Sequence, residues 1–210
     1  MRARQSSTRL PRPDRLPKSL PDIALRHGQA FWVLSQLGYQ GGATKSTFYE
    51  YIKSLRKLGT PFERGKIGYV RRGLANYSYC HLMELALVLT LRVYQVVPDS
   101  ILVEVVRHRR LLWRLYRHAY DERCTGIGKD AIVKLPGRGR IRCRGAYLDL
   151  QINFAGGKLV KFGPPRVLSP FQALKAFAER DVSARALLPI NLSLLAERVV
   201  SKAVVASGVG

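Results

Sequence analysis

The chain has 210 residues, with 36 Lys and Arg against 14 Asp and Glu, a formal net charge of +22 and a pI of about 10.6. Such a charge binds polyanions at moderate salt, and the length is enough to bury a core in one or two domains. No apolar run approaches the ~20 residues of a membrane helix and no hydrophobic segment follows the basic start, which argues against a spanning helix and a secretion signal.

Residues 1–21 carry Arg2, Arg4, Arg9, Arg12, Arg15 and Lys18 among prolines and serines, so they cannot assemble a hydrophobic face and are expected to form a disordered basic arm. A first helical pattern follows, carried by Phe31, Leu34, Ser35 and Leu37. It stops at Gly38-Tyr39-Gln40-Gly41-Gly42, a glycine cluster that permits a tight turn. A second helix starts at once. Thr44 is its expected N-cap, and Phe48, Ile52, Leu55 and Leu58 recur at helical spacing, which leaves Lys45, Ser46, Tyr49, Lys53, Arg56 and Lys57 mostly outward. Gly59 ends it. A helix with one buried stripe and an opposite face rich in cations and hydroxyls suits the major groove, where Lys and Arg reach phosphates or guanine edges and hydroxyls donate to phosphate oxygens.

Between Thr60 and Tyr79, Arg64, Lys66, Arg71 and Arg72 are opposed only by Glu63. Ile67, Tyr69 and Val70 supply strand-forming residues, and Gly65, Gly68 and Gly73 supply turns. This is the pattern of a basic hairpin, a wing able to lie along a nucleic-acid backbone. From His81 the spacing is helical again: Leu82, Leu85, Ala86, Leu89 and Val93 form a stripe that Leu87, Val88 and Leu91 widen to nearly the whole circumference, so this helix must be buried. After Pro98-Asp99, a long cationic helix is expected through Ile101, Leu102, Val105, Leu112, Leu115 and Tyr116 to about Tyr120.

Helix, turn, helix, wing, helix, helix resembles the DNA-binding domain of the MerR family of transcriptional regulators over roughly residues 24–110. Gly68-Tyr69-Val70-Arg71 is similar to that family's Gly-Tyr-Arg wing. Tyr77-Ser78-Tyr79-Cys80-His81-Leu82-Met83-Glu84-Leu85 is similar to the Tyr-Ser-x-x-x-Leu-x-x-Leu run that leads from wing to helix. Two departures stand out. Thr47-Phe48 is followed by Tyr49-Glu50-Tyr51, without the family's arginine, and a long dimerising coiled coil is replaced by something else.

Beyond about Thr125 the period changes to two. Arg138, Arg140, Arg142 and Arg144 alternate with Gly139, Ile141, Cys143 and Gly145, an accessory nucleic-acid contact or a charge-protected strand edge. Leu148, Leu150, Ile152 and Phe154 then alternate with polar residues, and Gly156-Gly157 turns this strand into a hairpin over residues 146–162. Ser169-Pro170-Phe171-Gln172 opens a short helix with Leu174, Phe177 and Ala178 expected inside, and a last helix runs from about Leu192 to Val204 with Leu192, Leu195, Ala196 and Val199 on one face.

The fold expected is mostly α with β (α+β): a winged helix-turn-helix domain over residues 22–124, then a small α+β module over residues 125–210 for dimerisation or partner binding. Cysteines 80, 124 and 143 and histidines 27, 81, 108 and 118 show no metal-finger spacing, the acids are few, and there is neither a phosphate-binding glycine motif nor a serine in a nucleophile-elbow context, so no metal, cofactor or enzymatic activity is expected. The expected function is a sequence-specific DNA-binding regulator of transcription, of the kind carried by mobile elements and plasmids, cytoplasmic and nucleoid-associated. Its partners would be double-stranded DNA and a second copy of itself, with no membrane. The alternatives are a recombination-directionality or replication-initiation factor and a basic RNA- or ribosome-binding protein.

Overall fold

The structure is a computed structural model that describes residues 22–62, 76–95, 99–124, 131–135, 139–143, 145–155, 158–162, 165–178 and 185–208. It is α+β, with helices dominating the first part and antiparallel strands concentrated between residues 131 and 191. The basic arm expected over residues 1–21 lies outside the described residues.

Helix α1 (His27–Gln36) turns Ala30, Val33 and Leu34 inward and is closed by buried Leu37. The chain reverses at Gly38, whose φ of 91° is left-handed and suits a residue without a Cβ. The turn is pinned from within. Tyr39 is buried and its hydroxyl lies 2.7 Å from Thr90 Oγ1, while Ser35 Oγ donates to Gln40 Oε1 (2.8 Å) and Gln40 Nε2 donates to the Ala43 carbonyl (2.9 Å). Helix α2 (Lys45–Lys57) follows, capped as its sequence asks: the Thr47 amide donates to Thr44 Oγ1 at 3.2 Å. Phe48, Ile52 and Leu55 form its buried stripe, and Gly59, at φ 95°, accepts the left-handed position just past its end.

Leu25 and Tyr77 exchange both backbone hydrogen bonds (3.1 and 2.8 Å), so the strand-like residues before α1 and before α3 are held together. Helix α3 (Tyr79–Gln95) is the axis of the core. Tyr79, Cys80, Leu82, Met83, Glu84, Leu85, Ala86, Leu87, Val88, Leu89 and Leu91 are all buried, as an all-round apolar helix requires. The long helix expected next is divided into α4 (Asp99–Arg107) and α5 (Arg109–Cys124). The division falls immediately before Arg109, whose guanidinium is drawn onto buried Glu84.

Strands β1 (Ala131–Leu135) and β2 (Gly139–Cys143) form an antiparallel ribbon. In the second sheet, β3 (Tyr147–Ala155) is central. One of its edges pairs with β5 (Arg166–Leu168) and β4 (Lys158–Phe162), at opposite ends, and the other pairs along seven residues with β6 (Arg185–Asn191). Among the described residues β6 pairs with β3 alone, an edge position of the kind that tolerates Pro189. Helix α6 (Pro170–Ala178) opens with the expected reciprocal cap: Gln172 N donates to Ser169 Oγ (3.3 Å) and Ser169 N to Gln172 Oε1 (2.9 Å). Its buried stripe is rotated from the expected one. Pro170 and Ala173 are buried, whereas Leu174, expected inside, is 45% exposed, on a helix that lies against β1, β3 and β5. Phe177 and Ala178 are helical, but their side chains fall outside the described ones.

The last helix, α7 (Leu192–Gly208), packs on α1, α3 and α5. Its face of Leu192, Leu195, Ala196, Val199, Ala203 and Ala206 is buried in the same cluster as Leu25, Val33, Leu82 and Tyr116, which Leu148 and Ile190 join from the sheet. Leu192, Leu195 and Val199, which belong to the module expected to serve dimerisation or partner binding, are enclosed within the chain instead, since α3 is apolar on nearly every side and the N-terminal helices leave one flank of it to be covered. Hydrogen bonds set the register: Gln29 Nε2 donates to the Ala206 carbonyl (2.9 Å), and Ser193 Oγ accepts from Ala146 N and donates to Glu122 Oε2 (both 2.8 Å). The last helix thus shares one core cluster with α1, α3 and α5.

This predicts that Leu192→Ala destabilises the chain by about 2–5 kcal/mol, while Leu194→Ala, on the outer face of the same helix and 47% exposed, costs under about 0.5 kcal/mol. Denaturant unfolding read by circular dichroism would check it. A chain ending near Arg123 should lose cooperative unfolding altogether; a cooperative transition in that fragment would show that α7 is dispensable to the helical core.

Candidate nucleic-acid interface

The outer face of α2 presents Lys45, Ser46, Tyr49, Lys53 and Lys57 to solvent. These are the side chains expected there. Lys53 is shared: its Nζ lies 3.0 and 3.1 Å from the two carboxylate oxygens of Glu50, in a pair more than half exposed on both sides and worth well under about 1 kcal/mol. A phosphate can displace such a partner at little cost. Thr44 is exposed, but its hydroxyl oxygen is engaged in capping and lies 2.9 Å from Thr47 Oγ1.

Arg56 differs from the other cations of α2. It is half-buried, and its Nη2 lies 2.7 Å from His27 Nε2 and 2.9 Å from His27 Nδ1, with the Tyr77 hydroxyl 3.0 Å from Nδ1. A guanidinium only donates, so the imidazole must accept from it and be neutral. The arrangement that satisfies all three has Nε2 accepting from Arg56 and Nδ1–H donating to the Tyr77 oxygen. Burial, and then the Arg56 charge, lower the His27 pKa from 6.5 to about 4. Tyr49 leans edge-on against His27 (centroids 5.2 Å) and also meets Phe31 (6.1 Å), so an exposed α2 residue is braced by α1. His27, Arg56 and Tyr77 together tie α1, α2 and the residues just before α3.

A second tie holds the same, C-terminal end of α2. Glu84 on α3 is fully buried and receives Arg109 through both oxygens, Nε to Oε2 at 2.8 Å and Nη2 to Oε1 at 2.6 Å, while Trp113 Nε1 donates to Oε2 at 3.1 Å. Burial pushes the Glu84 carboxyl upward, and the Arg109 and Trp113 hydrogen bonds pull it back. Arg109 Nη2 also donates to the carbonyl of Gly59, so α5 reaches through α3's carboxylate to the end of α2. Aromatic contacts run alongside: Phe62 meets Tyr77 (5.0 Å) and His81 (4.6 Å), and His81 meets Trp113 (5.3 Å). On the other flank, the Arg92 guanidinium sits 5.4 Å from the Tyr51 ring centroid and pairs with Asp99.

The expected wing cations Arg64, Lys66, Arg71 and Arg72, with Tyr69, lie outside the described residues, as do Arg138 and Arg144. Arg140 and Arg142 are on β2, apart in sequence from α2 and in a different sheet from β3. Among the described residues no group of three or more His, Cys, Asp or Glu is placed to hold a metal ion, and no helix is long and apolar enough to cross a membrane. Sequence reading missed His27, Tyr77, Glu84 and Arg109, which come from separate segments and carry no periodicity. The one local hint was a lone acid, Glu84, inside an all-apolar helix, which demands a cationic partner. The chain matches no protein-family model, no curated protein and no solved structure.

The neutral state of His27 has a consequence for stability. Because its folded pKa lies below its unfolded value of 6.5, its contribution is complete above that pH and is lost as pH falls toward about 4. With the ring half-buried and screened by water, the loss should be about 1–2 kcal/mol. Urea unfolding of the wild-type chain and of His27→Gln at a series of pH values between 7.5 and 4 reads it: the variant should have a shallower acid limb, and equal limbs would place the acid sensitivity elsewhere.

Proposed function

We propose that this chain is a sequence-specific double-stranded DNA-binding protein of the winged helix-turn-helix kind that acts in transcription regulation. The observation that carries the reading is α2: a helix whose inner stripe joins the core cluster, with Phe48 against Phe31 of α1, and whose outer face offers lysines, a serine hydroxyl and a braced tyrosine. In this reading α2 enters the major groove, with Lys45, Ser46, Tyr49, Lys53 and Lys57 reaching bases and phosphates. Arg56 acts mainly by holding His27, and its free edge contributes at most one phosphate contact. The basic segment with Arg64, Lys66, Arg71 and Arg72 is the wing and grips the backbone beside it; the resemblance of its Gly68-Tyr69-Val70-Arg71 to a MerR wing supports this. The net charge of +22 supplies the nonspecific attraction on which such readout is superimposed.

The test begins with genomic fragments retained by the full chain, followed by titration of a retained duplex, a scrambled duplex and a structured RNA at about physiological salt. Specific binding should exceed scrambled binding by ~10³-fold or more and survive added salt better than RNA binding. Lys45→Ala should weaken the specific complex by about 1–3 kcal/mol where it reads a base, or flatten the salt slope by about 0.9 where it meets a phosphate. Replacing Arg71 and Arg72 together with alanine should weaken specific and scrambled complexes alike. Equal affinity for all three ligands, indifferent to these variants, would sink the reading.

A single α2 spans only a half-site, so the reading implies two chains on a pseudo-palindrome. Sedimentation equilibrium should give a 2:1 complex of chain to specific duplex. A 1:1 complex at saturation would confine the protein to single half-sites.

A further inference from the structure

The β1–β2 ribbon has two chemically distinct faces. Its register sets Lys134 opposite Arg140 and Ile132 opposite Arg142, with Ala131, Val133 and Leu135 opposite Cys143, Ile141 and Gly139. Alternate residues of a strand share a face, and residues directly opposite in an antiparallel pair share it too. One face therefore holds Lys134, Arg140 and Arg142 with Ile132. The other holds only Ala131, Val133, Leu135, Gly139, Ile141 and Cys143. The register alone sets these positions, and α6 lies against β1. Arginine alternation alone could not have found Lys134; only the pairing brings it in from the other strand.

The cationic face is a poor arrangement for a ribbon on its own. Like charges directly opposite one another destabilise an antiparallel pair, and neither strand contains an acid to relieve the repulsion between Lys134 and Arg140 or their diagonal neighbour Arg142. A polyanion laid across the face removes that repulsion. Three cations at adjacent register positions match a run of phosphates better than they match a single small anion, and a two-stranded ribbon is one of the two protein elements that the major groove admits.

We propose that the β1–β2 ribbon is a second DNA-contacting element, binding backbone phosphates of the duplex outside the half-site read by α2. This rests on the reading of the chain as a duplex-binding protein, and it adds a ligand surface that α2 and the wing do not include. Occupation of the ribbon by phosphates also stabilises its strand pairing, so binding and local order are coupled.

Two measurements on the full chain test it. Backbone hydrogen exchange of residues 131–143 should slow when a duplex with flanks extending beyond the half-site is added, and should not slow with a duplex confined to the half-site. In the variant Lys134→Gln/Arg140→Gln/Arg142→Gln, the salt slope for the long duplex should fall by about 2–3, at about 0.9 for each phosphate that is no longer neutralised, with specific and scrambled sequences affected equally. The exchange measurement needs no substitution, so it decides the matter even if the variant folds badly. Unchanged exchange together with an unchanged slope, in a chain whose specific binding still responds to Lys45→Ala, overturns the ribbon and leaves the proposed function standing. A fall in slope with no sequence preference and no response to Lys45→Ala leaves the ribbon standing and removes the proposed function. Protection by structured RNA but by neither duplex overturns the assignment to DNA.

Discussion

The burial of α3 is the constraint on which the rest of the fold depends. A helix with apolar side chains on nearly every side cannot be satisfied by the one or two neighbours that cover an amphipathic helix. Here α1, α5 and α7 pack around it. That demand explains the most unexpected feature of the chain, the return of its C-terminal helix to the N-terminal unit after a sheet has been built in between. Each large apolar side chain brought in, such as Leu192, contributes roughly 1.5–3 kcal/mol of burial. Such increments offset the closure entropy of the intervening chain, which grows only slowly with its length.

The same helix carries the polar groups that position α2. Glu84 is an ionised group in an apolar wall, tolerable because Arg109 grips both its oxygens and Trp113 donates a third hydrogen bond. Burying such a pair adds little net stability, since desolvation consumes most of the attraction. Its geometric effect is specific: Arg109 also donates to the Gly59 carbonyl, which fixes where α2 ends. Within the last turn of the same helix, the neutral His27 lies between Arg56 and Tyr77 and fixes α2 against α1 and the residues just before α3. The cationic face of α2 is therefore held by directional bonds at two places, in addition to the nondirectional packing of Phe48, Ile52 and Leu55. Directional bonds make α2 a rigid element, and a rigid element loses less entropy on binding a partner.

The division of labour between domains also changes. An independent DNA-binding unit joined to a detachable module would place the two in separate cores. Instead Leu148 and Ile190, register partners on β3 and β6, enter the helical cluster, and the chain runs from β6 directly into α7. The hydrogen bond from Gln29 to the Ala206 carbonyl then joins α1 to α7. The exposed side chains Phe171 and Leu174 on α6 lie on the sheet side of this connection.

Local structure was legible in the amino-acid order. Spacing of Phe48, Ile52 and Leu55, the Thr44 cap, Gly59, the Ser169-Gln172 box and the alternation of β3 each encode one element through contacts within a few residues, and those elements form at the expected places. The need to bury α3 was legible in the same way. Long-range assembly settled what covers α3, that the long helix divides before Arg109, and that β3 pairs with β6 and the unforeseen β5. It settled too that Arg56 faces His27 and that Lys134 joins Arg140. These depend on residues far apart in the chain meeting in space, and no local period or propensity records which distant partner a buried charge or an uncovered apolar face will find.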